Sequence, residues 1–359
     1  MEEVRMRRKT YKHWTTPPPE RCVSLSDAAE TIVTQVEPSE LIGIPQIIAM
    51  EPFCERTLLA QLPIHTRPFV VSEMENARIF SHHGVVIDAA NQLITDLTHE
   101  FNQYPLGNRV CHYEGLPPVE KIDATVLLLP SISGWKNYYH WIIESLPRLR
   151  KMEEQIHAAD YILTPLSRPY HAQWLDHLGI PAEKRLEAKF DTHIEVRKLI
   201  APSPPKPMVN SLSAITWLRQ QIPDLPTTAH RKIYVTRADS WRRRAHNEAA
   251  LVEQLRSDHG YELVSLSGMD ALAQVNLFAS AKEIIALHGA ALANLAFAQP
   301  GIKLLELFQS DFIYPQYYRL AALTNVRYAG HSSYSGPEDP DFSLDYTTLR
   351  PVLDAFLNA

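Results

Sequence analysis

The second half of the chain alternates between short apolar runs and amphipathic stretches. The apolar runs are typical of strands buried on both faces of a parallel sheet, and the stretches between them have apolar residues at helical spacing. The predicted strands begin near Ile233, Tyr261, Ile284, Lys303 and Val326, and the predicted helices begin near Asn247, Met269, Ala291 and Ile313. This order predicts an α/β fold with a parallel, doubly wound sheet.

The first half of the chain shows a less regular alternation. Its predicted strands span residues 125–129, 161–164 and 196–200, and a helix is predicted over residues 168–178. Residues 77–97 have a hairpin pattern. We therefore expect strands and helices to alternate between residues 67 and 200.

Prolines divide the chain into lobes. Residues 1–65 are interrupted by prolines and predict extended segments and short strands on the surface of a first lobe. The proline-rich residues 201–207 predict a stiff linker. We therefore expect a first lobe over residues 1–200, a second lobe over 201–330, and a tail over 331–359. The last helix of the tail, residues 345–357, has one apolar face and is predicted to pack back on the first lobe.

Length and composition favour a two-domain globular protein. A chain of 359 residues exceeds the roughly 100 to 200 residues of a usual domain. The net charge of −6 argues against general nucleic-acid binding. Cys22, Cys54 and Cys111 are widely spaced, which indicates neither a zinc knuckle nor a disulfide framework.

The distribution of apolar residues predicts a cytoplasmic location. The first nine residues lack the apolar core of a signal peptide, and no run approaches the ~20 apolar residues of a membrane span. The basic residues among these nine allow two interpretations, a peripheral contact with the inner face of the membrane or simple solvation.

A turn with little side-chain bulk follows the strand near Ile284. His288, Gly289 and Ala290 lie between that strand and a short predicted helix. Backbone N–H groups at a helix N-terminus bind anions, so the turn suits a diphosphate. The alternative is that His288 and Gly289 merely close a βα turn.

A second group of candidates is basic. Arg237 follows a predicted strand, and Arg242, Arg243 and Arg244 precede the next helix. Guanidinium groups bind phosphate oxygens in pairs, so these residues could clamp a diphosphate at the same sheet edge as the His288 turn. Arg237 and Arg244 are the preferred members. The alternative is a solvated basic turn, which is favoured for Arg242.

A third candidate site lies upstream, in a predicted helix that contains His140 and Glu144. Residues four apart share a helix face, so the imidazole and the carboxylate can interact. A histidine is suited to take a proton from a hydroxyl, and the carboxylate could orient it. The two roles could also be reversed, and the alternative is a buried core histidine beside Trp141.

Common signatures of other chemistries do not occur. The sequence contains no Gly-x-Ser-x-Gly, Gly-x-Gly-x-x-Gly, Gly-Lys-Ser/Thr or His-Glu-x-x-His motif. Asp339-Pro340-Asp341 matches the Asp-x-Asp of metal-dependent glycosyltransferases, but no strand precedes it, which favours a surface turn. We therefore predict no metal site.

Taken in order, the three blocks resemble glycosyltransferase family 61, formerly a domain of unknown function. The resemblance rests on Tyr139-His140-Trp141 and Pro147-Arg148-Leu149, on Thr236-Arg237, Arg243-Arg244 and Asn247-Glu248, and on His288-Gly289-Ala290, Asn294, Pro300-Gly301 and Glu306. It extends over about residues 70 to 330. The chain departs from the family pattern at Tyr139, at Glu144 and at Ala291 and Ala293, where the family often has Gly, Asp, Gly and Thr.

The resemblance implies a GT-B fold, in which two Rossmann-like lobes face a central cleft. It also implies an inverting, metal-independent hexosyl- or pentosyltransferase of the bacterial capsular-polysaccharide type. No cofactor is expected. The co-substrate would be a nucleotide sugar, UDP-linked, bound by the second lobe. The first lobe would bind a glycan or lipid-linked glycan acceptor.

Site residues follow from the same resemblance. His140 and Glu144 are the catalytic candidates. The donor-binding candidates are Arg237, Arg243, Arg244, Asn247, Glu248, His288, Gly289, Ala290, Asn294 and Glu306. Two other functions stay open at this point, a noncatalytic glycan-binding or scaffold protein with the same fold and a phosphate-directed hydrolase.

Overall fold

The computed structural model describes residues 13–28, 31–98, 109–334, 336 and 339–359. The basic N-terminal residues considered for membrane contact lie outside this part of the chain. The chain forms two compact units. Unit 1 comprises Met1–Ser39 and Arg67–Pro207, and unit 2 comprises Glu40–Thr66 and Met208–Ala359.

The strands are short in the first third of the chain and longer afterwards. In chain order they are β1 (Arg21–Val23), β2 (Thr31–Glu37), β3 (Leu41–Ile42), β4 (Ile47–Met50), β5 (Ile64–His65), β6 (Phe69–Phe80), β7 (Val85–Ile87), β8 (Gln92–Ile94), β9 (Glu120–Leu128), β10 (Tyr161–Thr164), β11 (Arg185–Glu187), β12 (His193–Pro202), β13 (Arg231–Val235), β14 (Glu262–Val264), β15 (Ala281–Leu287), β16 (Lys303–Gln309) and β17 (Arg327–Ser333).

Most helices are short. They are α1 (Pro52–Leu59), α2 (Glu153–Ala158), α3 (Pro169–His177), α4 (Leu212–Gln220), α5 (Glu248–His259), α6 (Ala271–Ala279), α7 (Gln316–Thr324) and α8 (Tyr346–Asn358). A π-helical segment spans His140–Ser145, and the longest 3-10 segment spans Ala290–Phe297. Among the described residues, no helix is both long enough and apolar enough to span a membrane.

The sheet of unit 1 is mixed. Its strand order is β1-β8-β7-β6-β12-β9-β10-β11, with β2 also paired to β6. The part formed by β9, β10, β11 and β12 is parallel, whereas β6 pairs antiparallel with β2, β7 and β12. The α/β class is confirmed. The expectation of a Rossmann-like sheet holds only for the parallel part, because the predicted hairpin over residues 77–97 adds antiparallel strands to the same sheet.

The sheet of unit 2 is parallel throughout, in the order β14-β13-β15-β16-β17-β4. β15 and β16 are almost completely buried, which explains why their sequences are continuous apolar runs. α5 packs on this sheet through Leu251, Val252 and Leu255 and ends at Gly260, whose φ of 69° is the left-handed conformation that favours glycine. The carboxyl ends of these strands carry the candidate donor residues.

Three details differ from the sequence-based expectation. Residues 40–66 belong to unit 2, because β4 pairs with β17 at the edge of its sheet. The last helix, α8, packs on the same sheet, because Leu349, Val352, Leu353 and Phe356 fit its apolar face. Finally, β12 extends to Pro202, so the predicted linker over residues 201–207 begins inside a strand.

Candidate functional site

His288 lies at the carboxyl end of β15, beside Glu306 of β16. The two strands pair in register, with Ala286 opposite Glu306, and this brings the His288 Nδ1 to 2.5 Å from the Glu306 Oε1. The other carboxylate oxygen accepts a hydrogen bond of 2.7 Å from the Tyr328 hydroxyl. Glu306 is completely buried. Both of its oxygens are engaged inside the unit, so Glu306 orients His288 and does not offer its carboxylate to a ligand.

The surroundings of His288 favour its neutral form. Burial lowers the pKa of His288, and the nearby guanidinium groups of Arg243 and Arg237 lower it further, while Glu306 acts in the opposite direction. With the Nδ1–H donated to Glu306, the Nε2 accepts a hydrogen bond from the Gln316 side-chain amide at 3.1 Å. Gln316 is the first residue of α7. The imidazole is thereby fixed from both sides.

Gly289 makes room for Arg237. A Cβ at Gly289 would overlap the Arg237 guanidinium, whose central carbon would lie 3.1 Å from it. The φ of Gly289 is −175°, an extended conformation that any residue adopts, so space and not backbone freedom requires glycine here. The guanidinium donates hydrogen bonds to the Ser240 hydroxyl at 2.8 Å and to the Arg242 carbonyl at 3.3 Å. The strand end and the turn therefore meet through Arg237.

Arg243 is the second guanidinium of this cluster. Its backbone adopts a φ of 55°, and its N–H donates to the Pro340 carbonyl at 2.7 Å. The guanidinium carbon lies 3.9 Å from the centroid of the Phe312 ring. Burial lowers the pKa of Arg243 to about 10, with a further contribution from Arg237. The two like charges thus lie close together and are partly removed from water.

Arg237 and Arg243 carry positive charge that the protein leaves unneutralised. Among the described residues, no carboxylate lies within ion-pair distance of either guanidinium, and the buried Nε of each donates to no partner. Buried charges in proteins are ordinarily paired, because an unpaired one costs several kcal/mol. This arrangement suits an anion that pairs with both groups. We call Arg237, Arg243, His288 and Gln316 the anion site.

Arg244 is directed elsewhere, contrary to the preferred pairing with Arg237. Its Nη2 forms an ion pair of 2.6 Å with the buried Asp341 carboxylate, which also accepts from the Arg244 Nε at 2.8 Å and backbone N–H at 2.9 Å. The Asp341 carboxylate neutralises its charge. The geometry therefore brings Arg243, not Arg244, together with Arg237.

Asn247 and Glu248 are engaged within unit 2. The Asn247 side-chain amide donates to the Leu344 carbonyl at 2.9 Å and accepts from the Leu344 N–H at 2.8 Å. The Glu248 carboxylate accepts hydrogen bonds from the Tyr234 hydroxyl at 3.0 Å and the Thr236 hydroxyl at 2.5 Å. These contacts fasten the start of α5 to β13 and to the C-terminal segment. Neither side chain forms part of the anion site.

The segment after Gly289 is a helix, as predicted, and it is of the 3-10 type. Ala290 is its first residue and is half-buried. Asn294 is completely buried and donates to the Gln274 side chain at 3.3 Å and the Ala291 carbonyl at 3.0 Å. Asn294 therefore packs inside unit 2, whereas the turn at Gly289 and Ala290 remains next to the anion site.

In unit 1, His140 and Glu144 are in contact as predicted. The His140 Nδ1 lies 2.7 Å from the Glu144 Oε2, and the Glu144 side chain is buried while that of His140 is 13% exposed. The segment is π-helical, a conformation found often at functional sites. The imidazole is thus accessible from one side and oriented by a carboxylate from the other.

Arg148 holds the backbone around this segment in place. It is completely buried and donates hydrogen bonds to the backbone carbonyls of Leu129, Pro130 and Pro202. Burial lowers the pKa of Arg148 to about 9. These contacts tie the ends of β9 and β12 to the residues that follow His140, so Arg148 has a structural role.

A comparison with protein-family models identifies the relationship. The model described as Glycosyltransferase 61 matches residues 138–305, slightly less than half of the chain. This segment is similar to glycosyltransferase family 61. It contains His140, Glu144, Arg237, Arg243 and His288. No curated protein matches the chain.

The family 61 match confirms the resemblance read from the three blocks. It indicates a glycosyltransferase, which acts on a sugar donor and a glycan acceptor. Within the matched segment, Arg237 and Arg243 can bind an anion, and His140 in contact with Glu144 can accept a proton.

The sequence did not reveal Gln316 of the anion site or Phe312 beside it. Phe312 follows β16 and lies under Arg243, and Gln316 begins α7 and contacts His288. Both lie just beyond the carboxyl end of a strand next to β15. Their position after a strand could have identified them as candidates, because ligands of parallel sheets bind at this edge.

The carboxylates of the Asp339-Pro340-Asp341 motif have partners within the protein. Asp341 binds Arg244, and the Asp339 carboxylate accepts from the His246 imidazole at 3.2 Å and the Asp341 N–H at 2.9 Å. Within the described ranges, no group of three histidine, cysteine or acidic residues is placed to hold a metal ion.

Proposed function

We propose that this protein is an inverting, metal-independent glycosyltransferase that uses a nucleotide-sugar donor, UDP-linked, and transfers a hexose or pentose to a glycan or lipid-linked glycan. The observation that carries the proposal is the pair of unneutralised guanidinium groups, Arg237 and Arg243, within a family 61 segment. A diphosphate supplies the negative charge that this pair lacks.

The anion site would stabilise the leaving nucleotide diphosphate. Negative charge grows on the diphosphate as the bond to the sugar breaks, and preorganised donors are most effective where charge develops. Arg237 and Arg243 would donate to the phosphate oxygens. His288, held by Glu306 and Gln316, would keep the turn at Gly289 in place.

His140 would act as the general base. Its Nδ1–H points to the Glu144 carboxylate, so the Nε2 is the atom that takes the proton from the acceptor hydroxyl. Glu144 would orient the ring and stabilise the imidazolium that forms. The hydroxyl oxygen would attack the anomeric carbon on the side opposite the diphosphate, which inverts its configuration.

The proposed cellular role rests on the family resemblance. Members of the bacterial type act in surface polysaccharide synthesis, and we propose the same role here, at the cytoplasmic side of the membrane.

The assay compares nucleotide release with and without acceptor. Purified protein is incubated with a panel of UDP-, GDP- and CMP-linked sugars, and free nucleotide and glycan products are measured. We expect release from a UDP-linked sugar that an acceptor glycan accelerates. Release that no acceptor accelerates would support a hydrolase, and glycan binding without release would support a noncatalytic protein.

A further inference from the structure

Aromatic rings and guanidinium groups continue from the anion site to the protein surface. Arg243 lies over Phe312, and the guanidinium carbon of Arg242 lies 6.0 Å from the centroid of that ring. The same carbon lies 4.5 Å from the centroid of Trp241. Phe312 also contacts the Tyr314 ring, with 4.5 Å between centroids. Trp241 is the outer end of this row.

Trp241 is unusually exposed for a tryptophan. Its relative exposure is 77%, the highest of the large hydrophobic side chains that the structure describes. Burying an aromatic ring of this size stabilises a fold. A ring that stays exposed to water is therefore a candidate for binding a ligand. Its neighbour Arg242 also presents a flat, cationic surface. Both groups favour a planar, polarisable ligand.

We propose that Trp241 is the platform on which the nucleobase of the donor stacks. The inference rests on the proposed function, because it takes Arg237 and Arg243 as the diphosphate site. A nucleobase is a flat heteroaromatic ring that stacks on tryptophan and on guanidinium planes. Inorganic phosphate or pyrophosphate has no ring to place there. The chemical class of ligand is therefore a nucleoside diphosphate.

The test compares UDP with inorganic pyrophosphate by calorimetry. Trp241→Ala should weaken UDP binding about tenfold or more, the range expected for loss of one base–aromatic stack. Pyrophosphate binding should stay unchanged. Trp241→Phe should retain most of the UDP affinity. Tyr161→Ala, which removes an exposed aromatic ring from unit 1, is the control.

Two results would overturn the inference, and they differ from failure of the donor site. Equal losses for UDP and pyrophosphate in Trp241→Ala would show that the ring serves the phosphates or the fold. Unchanged UDP affinity would show that the base lies elsewhere. If neither ligand bound the wild-type protein, the donor site itself would be refuted.

A separate observation in unit 1 concerns two cysteines that are 89 residues apart in sequence. The Sγ atoms of Cys22 and Cys111 lie 3.5 Å apart, and both residues pack against an apolar cluster that includes Phe80, Leu93 and Val110. A disulfide needs a separation of about 2.05 Å, and the two sulfur atoms already lie in contact.

The geometry points to a disulfide-forming pair, with a low-molecular-weight disulfide such as oxidised glutathione as the oxidant. One cysteine thiolate attacks the oxidant and releases one reduced glutathione. The second sulfur then displaces the other glutathione as its proton is lost. The two cysteines are oxidised to one disulfide, and one glutathione disulfide is reduced to two thiols. Burial raises the pKa of Cys111 to about 12, and the contact with Cys22 contributes to the rise.

Mass spectrometry of the native protein treated with oxidised glutathione tests this pair. The wild type and Cys54→Ser should lose two hydrogens and give a linked peptide containing Cys22 and Cys111. Cys111→Ser should instead keep a glutathione adduct at Cys22. The link should also raise the denaturation midpoint of the wild type. A stable adduct on the wild type, or two thiols that stay reduced in excess oxidant, would overturn the inference.

Discussion

The guanidinium of Arg237 occupies the space that a side chain at Gly289 would need. This contact joins the loop after β13 to the turn after β15, at one edge of the parallel sheet of unit 2. A change at Gly289 can therefore displace Arg237 without removing its charge.

Gly289→Ala should weaken nucleotide binding while the fold remains. The new methyl group must push the guanidinium aside, and hydrogen bonds to charged groups are worth about 1.5–3 kcal/mol, so UDP affinity should fall about tenfold or more. Calorimetry and thermal melting measure the two effects. Gly43→Ala is the matched control in unit 2, because nothing lies within 4 Å of the added Cβ. Unchanged UDP affinity in Gly289→Ala would contradict a role for Arg237.

His140→Ala should abolish sugar transfer and leave UDP affinity nearly intact. The residue is proposed to act only on the acceptor proton, a contribution of about 10² to 10⁴ in rate. Glu144→Gln should lower turnover less, since the amide can still contact the ring. Transfer rates of both variants should be measured beside nucleotide binding and melting. Loss of stability together with nucleotide binding in His140→Ala would favour a buried structural histidine.

Transfer should persist in EDTA. Arg237 and Arg243 are proposed to neutralise the diphosphate, so no divalent cation is needed there. Asp339→Ala should also remain active, because its carboxylate binds His246 and the Asp341 backbone. Asp341 is left intact because it holds Arg244. Activity that disappears in EDTA and returns with Mn²⁺ would overturn the metal-free mechanism.

The stability of unit 1 should depend on pH through His171. Its Nε2–H donates to the Gly134 carbonyl at 2.9 Å, its Nδ1 accepts from the Arg168 N–H at 3.1 Å, and burial lowers its pKa from 6.5 to about 4. The folded state therefore binds this proton more weakly than the unfolded chain. The stabilisation is full above pH 6.5 and is lost as the pH falls toward about 4.

His171→Gln should flatten this dependence. Over that interval the wild type should lose up to about 3 kcal/mol more than the variant, since one pKa unit corresponds to about 1.36 kcal/mol. Urea denaturation followed by tryptophan fluorescence across the interval measures the difference. Parallel curves for the two proteins would refute the assignment to His171.

Much of unit 2 could be predicted because its signals are local. Apolar strands, helix stripes and glycine ends recur along the chain, and they place His288 and Arg237 at the same sheet edge. The pairing of β4 with β17 could not be predicted, because it joins segments far apart in sequence. Nor could the contact of His288 with Glu306, which depends on the register of two strands.

The choice between Arg243 and Arg244 was also beyond the sequence. The two residues are adjacent and chemically identical, and only the backbone decides which one faces Arg237. Arg243 adopts a φ of 55°, and Arg244 meets the Asp341 carboxylate from the C-terminal segment. A local pattern contains neither the backbone angle nor the distant partner.

UDP affinity of Arg243→Ala and Arg244→Ala, measured by calorimetry beside Arg237→Ala, tests the central claim most directly. The account predicts that Arg237→Ala and Arg243→Ala each weaken binding about tenfold or more. Arg244→Ala should bind UDP as the wild type does and show only a change in melting, because its charge is already paired with Asp341. Equal losses at Arg243 and Arg244, or a loss at Arg244 alone, would contradict the anion site.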